Sequence, residues 1–271
     1  MKVLILAAGY ATRLYPLTKK YPKPLLEVKG KPIIEHIIDK LSPVKSIDEV
    51  IVVTNSKFIG QFKKWRRRFT TTKKITLVDD CTKSNADRLG AIGDLDFVIN
   101  KEHIQDDLLI IGGDNLFSGS LKGFIAFALK NIPDATIGAY KLKQIKDASN
   151  YGVVKIDKKR KVIEFQEKPK TPKSPLVAMC LYFIPATQFS LIGDYMRISK
   201  GKLDATGKYI DWLKSKRNIY CFVFKGSWYI QNFDPTNYEE TVNEINSLKI
   251  REDELMNEIN SLKIREDELM N

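Results

Sequence analysis

Residues Leu4 to Ile34 read LILAAGYATRLYPLTKKYPKPLLEVKGKPII, an apolar segment that empties into small residues and then into cations. The run Val3 to Leu6 predicts a buried strand, and Ala7, Ala8 and Gly9 after it let a ligand come close to the backbone. Such a loop suits something flat or phosphorylated. Arg13 and Lys23 stand beyond it, and Pro22 and Pro24 on either side of the lysine limit how far its backbone can move. Two cations fixed after a strand-to-loop turn point to a polyphosphate. Small residues also follow strands where a helix merely packs close to a sheet, and the loop alone leaves that reading open.

The whole string resembles the signature of the sugar-1-phosphate nucleotidylyltransferases, the family related to glucose-1-phosphate thymidylyl- and uridylyltransferases. That signature runs LAAGxGTRLxPLT and then PKPLLPVxGKPI. Here Ala11 stands for the second glycine and Glu27 for the usual proline, so neither departure removes a charged contact. The resemblance implies that Leu6, Ala7, Ala8 and Gly9 face the nucleotide. It also implies that Arg13 sits on the leaving β- and γ-phosphates and Lys23 near the α-phosphate.

Outward from this stretch, strand and helix alternate. Ile33, Ile34, Ile37, Ile38 and Leu41 recur at helical spacing behind Pro32, which can open a helix. A strand is predicted over Glu49–Thr54, a helix from about Phe58 to Phe69, and strands over Lys74–Val78 and Leu108–Ile111. The rhythm predicts a parallel, doubly wound sheet with its ligand site outside the carboxyl ends of the strands. Further strands are predicted over Thr136–Tyr140, from Tyr151 to Val154, from Val162 onward, over Leu176–Ile184 and over Ile219–Phe224.

Three later segments resemble the family in the same order. Asn85 to Leu95 looks like its base-contacting segment, with Gly90 offering a bare backbone. Gly113-Asp114-Asn115-Leu116-Phe117 matches its G-D-N-x-F, which implies that Asp114 holds Mg²⁺ against the nucleotide's phosphates. Tyr151-Gly152-Val153-Val154 and Phe165-Gln166-Glu167-Lys168-Pro169 look like its sugar-binding half. There Gly152 and Glu167 would meet sugar hydroxyls and Lys168 the sugar phosphate. The family's W-Y-D-I-G-T-P appears as Trp228-Tyr229-Ile230-Gln231-Asn232-Phe233-Asp234-Pro235, so its second metal aspartate is replaced by Ile230. Asp234 supplies a carboxylate only if the loop takes another path.

Composition bounds the alternatives. The 271 residues are 43% apolar, enough for a full core, and no apolar run approaches the roughly 20 residues of a membrane span. A start that feeds straight into the first strand leads us to expect a cytoplasmic protein. Cys81, Cys180 and Cys221 are odd in number and widely spaced, which supports neither disulfides nor zinc and predicts buried packing roles. The net charge is +12; residues 243–271 carry −4 of it, which leaves +16 for the rest. Lys63-Lys64-Trp65-Arg66-Arg67-Arg68 is read as a solvated helix face, since no nucleic-acid-binding motif accompanies it. His36 is read as structural.

Residues 243–270 repeat NEINSLKIREDELM twice without change. Leu248, Leu255, Leu262 and Leu269 then form one heptad seam, which predicts a helix that pairs with another copy or packs on its own subunit. The expected architecture is thus a Rossmann-like, doubly wound mixed sheet over residues 1–240, with a β-rich sugar-binding insertion, and a helical tail over 241–271. The activity implied by the resemblance is transfer of a nucleotidyl group, from dTTP or UTP first, to a sugar-1-phosphate. A binding homologue or regulatory subunit with little catalysis is the alternative, on account of Ile230.

Overall fold

The computed structural model describes residues 1–199 and 206–229. The repeated tail, Ile230 and Asp234 lie outside the described residues. In chain order the elements are β1 (Lys2–Leu6), a ribbon of β2 (Glu27–Val28) and β3 (Lys31–Pro32), α1 (Ile33–Leu41), β4 (Glu49–Thr54), α2 (Ile59–Arg68) and β5 (Lys74–Asp79). They continue with α3 (Gly90–Lys101), β6 (Leu108–Gly112), α4 (Leu121–Lys130), β7 (Ala135–Lys141), β8 (Gly152–Ile156) and β9 (Val162–Glu167). The last are β10 (Leu176–Ile184), α5 (Phe189–Ile198), α6 (Thr206–Lys214) and β11 (Ile219–Phe224).

One mixed sheet runs β11-β7-β10-β6-β1-β4-β5, with β8 and β9 attached through β10. Its heart is parallel: β1 lies between β4 and β6, and β5 follows β4. The strands are apolar because helices cover both faces. Alternate residues of β1 show this directly, since Val3 and Ile5 pack with α1, α2 and α4 while Leu4 packs with α3, α5 and α6. In α1 the five residues Ile33, Ile34, Ile37, Ile38 and Leu41 are all buried, as their spacing predicts. Burying each such side chain contributes about 2 kcal/mol. Pro32 does not enter this helix; it is extended and pairs with Glu27 in the ribbon, and α1 starts one residue later.

β10 breaks the parallel pattern. It runs antiparallel to both β6 and β7, and its register slips between Ala178 and Tyr182 around Cys180, which adopts a left-handed φ of 50°. A bulge of this kind bends a strand next to the cleft described below. Leu6 stands opposite both Val53 and Gly112, so the loops leaving β1, β4 and β6 emerge at one level. No helix among the described residues is long and apolar enough to cross a membrane.

One expectation needs adjustment. Cys81 is exposed rather than packed, while Cys221 is buried and Cys180 is intermediate. Cys81 sits in the loop after β5, with its backbone N–H tied to Asp79, where no apolar layer reaches it. The basic run behaves as read: α2 turns Phe62 and Trp65 inward and leaves Lys63, Lys64, Arg67 and Arg68 exposed.

Candidate active site

The small residues after β1 form a tight loop because their backbone is taken up by neighbouring strands. Ala7 N–H donates to Val53 at 2.9 Å, and Gly113 N–H donates to the Leu6 carbonyl at 2.8 Å. Asn55, fully buried at the end of β4, donates its side-chain amide to the Ala8 carbonyl at 2.8 Å. Ala8 therefore points inward, while Leu6, Ala7 and Gly9 line an open cleft of about 790 Å³. Arg13, Lys23, Asp114 and Lys168 line the same cleft, together with Tyr151, Asn85 and Arg88. Residues separated by more than a hundred positions thus meet at the carboxyl ends of β1 and β6.

Each charged group is held by a different device. Arg13 lies in a short 3-10 turn, Thr12–Leu14, entered through Ala11 at φ 45° and ψ 43°. The carbonyl of Ala11 accepts from Thr18 Oγ1 at 2.7 Å, which fixes the left-handed bend. Arg13 is exposed and has no hydrogen bond or ion pair among the described residues. Lys23 starts a second 3-10 turn, Lys23–Leu25, with extended Pro22 before it and Pro24 inside it. Its ammonium meets Asp114 Oδ2 at 2.7 Å. Burial alone would raise the Asp114 carboxyl; the charge and hydrogen bond of Lys23 prevail and hold it below the ordinary carboxylate range.

Asp114 is positioned by its neighbours. A Cβ on Gly113 would stand 2.8 Å from the Leu6 carbonyl and 3.1 Å from the Pro24 ring, so only glycine lets these segments touch. The buried Asn115 amide donates to the Met179 carbonyl at the bulge of β10 at 2.5 Å. Its oxygen accepts from the Trp228 indole at 2.9 Å, and Tyr229 N–H reaches the Leu116 carbonyl at 2.9 Å. The strand ends and the segment before residue 230 are therefore joined behind Asp114. Asn55 and Asn115 do this structural work, and the only signal for them in the sequence was a polar residue directly behind an apolar strand.

The sugar half is arranged less simply. Lys168 adopts a left-handed φ of 46° and lines the cleft. Gly152 and Glu167 do not line it. Gly152 is buried against the ring of Phe165, and Glu167 Oε2 would be 1.8 Å from a Cβ on Gly207 near the start of α6. The Glu167 carboxylate makes no hydrogen bond among the described residues. Burial raises its carboxyl, against the pull of Lys168 and Lys208. Beside it Tyr182 and Thr206 share a hydrogen bond of 2.8 Å. Gly90 is buried with a φ of 77° and opens α3, next to the cleft residues Asn85 and Arg88.

Cys180 and His36 have structural surroundings. Burial pushes the Cys180 thiol up to about 12, with Asp114 adding to the shift, so it is a neutral packing group. His36 Nε2 bonds the Val28 carbonyl at 2.8 Å, a structural contact. Among the described residues no three His, Cys, Asp or Glu stand together as a metal cluster. A single hard carboxylate open to a phosphate-sized cleft still fits Mg²⁺, which keeps several waters and takes its other ligands from substrate phosphates.

Comparison with known proteins bears on the family and the fold. The sequence model of the family described as Nucleotidyl transferase matches residues 2–229. The chain is 31% identical over 229 residues to a protein of Methanococcus aeolicus named bifunctional protein GlmU, covering 84% of this chain and 50% of that protein. It is 27% identical to a Fusobacterium nucleatum glucose-1-phosphate adenylyltransferase, covering 83% of this chain and 62% of that protein. The chain thus spans about half the length of the first of these relatives. A solved UDP-glucose pyrophosphorylase in complex with UDP-glucose superposes with a TM-score of 0.73 at 18% identity, covering 92% of this chain and 98% of that one, and shows the same fold.

Proposed function

The chain belongs to the nucleotidyl transferase family, and from that premise we propose that it transfers a nucleotidyl group from a nucleoside triphosphate to a sugar-1-phosphate. The observation that carries this reading is the meeting of Arg13, Lys23, Asp114 and Lys168 in one cleft. An oxygen of the sugar phosphate attacks the α-phosphorus in line; the bond to the β-phosphate oxygen breaks, and pyrophosphate leaves with its electron pair. No protein nucleophile is needed, so the work is positioning and charge neutralisation.

Residue roles follow from position. Arg13, exposed at the loop, is assigned to the β- and γ-phosphates, Lys23 to the α-phosphate, and Lys168 to the sugar phosphate. Leu6, Ala7 and Gly9 face the nucleotide, Ala8 supports them from below, and Gly90 shapes the entry of α3 behind the base segment. Gly152 and Glu167 form the inner wall of the sugar side rather than its rim. Asp114 is assigned as the Mg²⁺ ligand. Bound there, Mg²⁺ would neutralise charge on the phosphates. dTTP and UTP are the first nucleotides to try, because the Leu4 to Ile34 stretch resembles the thymidylyl- and uridylyltransferases.

The test is pyrophosphate release with Mg²⁺, each common nucleoside triphosphate and a panel of sugar-1-phosphates beginning with glucose-1-phosphate. Release with one pair, reduced about a hundredfold or more by Asp114→Ala, is the expected result. Nucleotide binding without release across the whole panel would instead support a binding homologue, the reading that Ile230 favours.

A further inference from the structure

The contact between Lys23 and Asp114 has the two catalytic candidates neutralising each other at 2.7 Å. Neither backbone is placed to withdraw. Lys23 sits between two prolines in a 3-10 turn closed by Leu26 N–H on its own carbonyl at 3.0 Å. Asp114 lies between Gly113, bonded to Leu6, and Asn115, clamped to Met179 and Trp228. The ammonium therefore takes up one carboxylate oxygen of a residue that lines the cleft. A divalent cation approaching that carboxylate alone meets a fixed positive charge within contact distance, and their repulsion is strong where water is partly excluded.

A triphosphate changes this balance, since its oxygens offer the ammonium another anion and offer the metal most of its ligands. We propose that Lys23 acts as the resident counter-ion of Asp114 and is exchanged. It holds the carboxylate in the substrate-free protein and moves to phosphate when a metal–nucleotide complex enters. Asp114 consequently takes metal only together with nucleotide. The idea rests on the nucleotide reading of the cleft. By linkage, metal and nucleotide each strengthen the other's binding by the same factor, and removing the lysine's charge uncouples them.

The experiment is titration with Mn²⁺ alone, counting free metal by electron paramagnetic resonance, on the wild type, Lys23→Met, Lys23→Arg and Asp114→Asn. The titration is repeated on the wild type and Asp114→Asn with non-hydrolysable analogues of each common nucleoside triphosphate. Without nucleotide, Lys23→Met should bind Mn²⁺ at least tenfold more tightly than the wild type, and Lys23→Arg should behave as the wild type. Adding Asp114→Asn to Lys23→Met should remove the gain. With one of the analogues present, and after subtracting the metal that the analogue binds in a protein-free titration, the wild type should gain at least tenfold in Mn²⁺ affinity, a gain that Asp114→Asn lacks.

The proposal is overturned if folded Lys23→Met binds Mn²⁺ no more tightly than the wild type. Should Lys23→Met not fold, the wild-type titrations decide: no gain in Mn²⁺ affinity above the protein-free analogue control, with every analogue that binds, would sink it. Turnover is measured separately by pyrophosphate release. Release combined with nucleotide-independent metal binding would reject the exchange and keep the proposed activity, whereas absence of release across the panel would reject the activity itself.

Discussion

Ala11 holds φ 45° and ψ 43°, a conformation that costs a residue with a Cβ about 1 kcal/mol. The penalty is tolerated because the Ala11 carbonyl is held by both Thr18 Oγ1 and Leu14 N–H, at 2.7 and 2.9 Å. Glycine at this position removes the steric cost and adds some freedom to the unfolded chain. Ala11→Gly should therefore raise stability in urea denaturation by about 0.5 kcal/mol and leave the loop in place. A clear loss of stability would show that the bend is not strained. Gly207 offers the opposite case, since its missing Cβ makes room for Glu167. Gly207→Ala should push that carboxylate out of its niche, raise KM for the sugar phosphate severalfold, and cost about 1–3 kcal/mol by overpacking. An unchanged KM would remove Glu167 from the sugar side.

Among the elements, β1, β4 and β6 explain why the sequence was so readable. Their inner residues are apolar without interruption because both faces are covered, and β4, β10 and β11 span the residues that the sequence predicts for them. The loop of Arg13 and Lys23 was legible because prolines and small residues leave few backbone choices. Direction was not legible: nothing in the composition of β10 says that it runs against β6, since an apolar run reads the same either way. The inward turn of Glu167 was hidden for a related reason. It depends on Gly207, forty residues later and on another element, and pairwise contacts at such separation leave no periodic trace. The clamp of Asn115 on β10 and Trp228 is of the same kind. Trp228→Phe keeps the ring packing on Tyr151 but deletes the indole donor, leaving the Asn115 oxygen without it. It should lower kcat more than stability, an order that paired turnover and thermal-denaturation measurements can check.

Over the whole molecule, charge is arranged in two different ways. At the amino ends of the parallel strands, Glu49 stands opposite Lys2 and Lys74 in register. Burial would raise its carboxyl, but hydrogen bonds from Lys74, Thr76 and Lys2 bring it to about 2. Because the folded value lies below the unfolded one, its contribution to stability is complete above the ordinary carboxylate range and is lost as pH falls toward the folded value. Wild-type stability should thus fall more steeply than that of Glu49→Gln between about pH 5 and pH 2 in acid titrations followed by circular dichroism. Elsewhere positive charge is in surplus, with +16 outside residues 243–271. A field of this sign draws in phosphorylated substrates, so kcat/KM should decline as salt is raised through the range where the Debye length shrinks below about 10 Å, with kcat little changed.

The crowding at Gly113 bears on how such a protein can be recombined. Three stretches far apart in the chain, at Leu6, Pro24 and Gly113, share one point of contact with no space for a further carbon. A chimera with a crossover between residues 34 and 108 joins the first two from one parent to the third from another, and survives only if both parents carry the same shapes there. Crossovers beyond residue 113 leave the trio intact. In a shuffled library, breakpoints should be scarce across that interval and common after it.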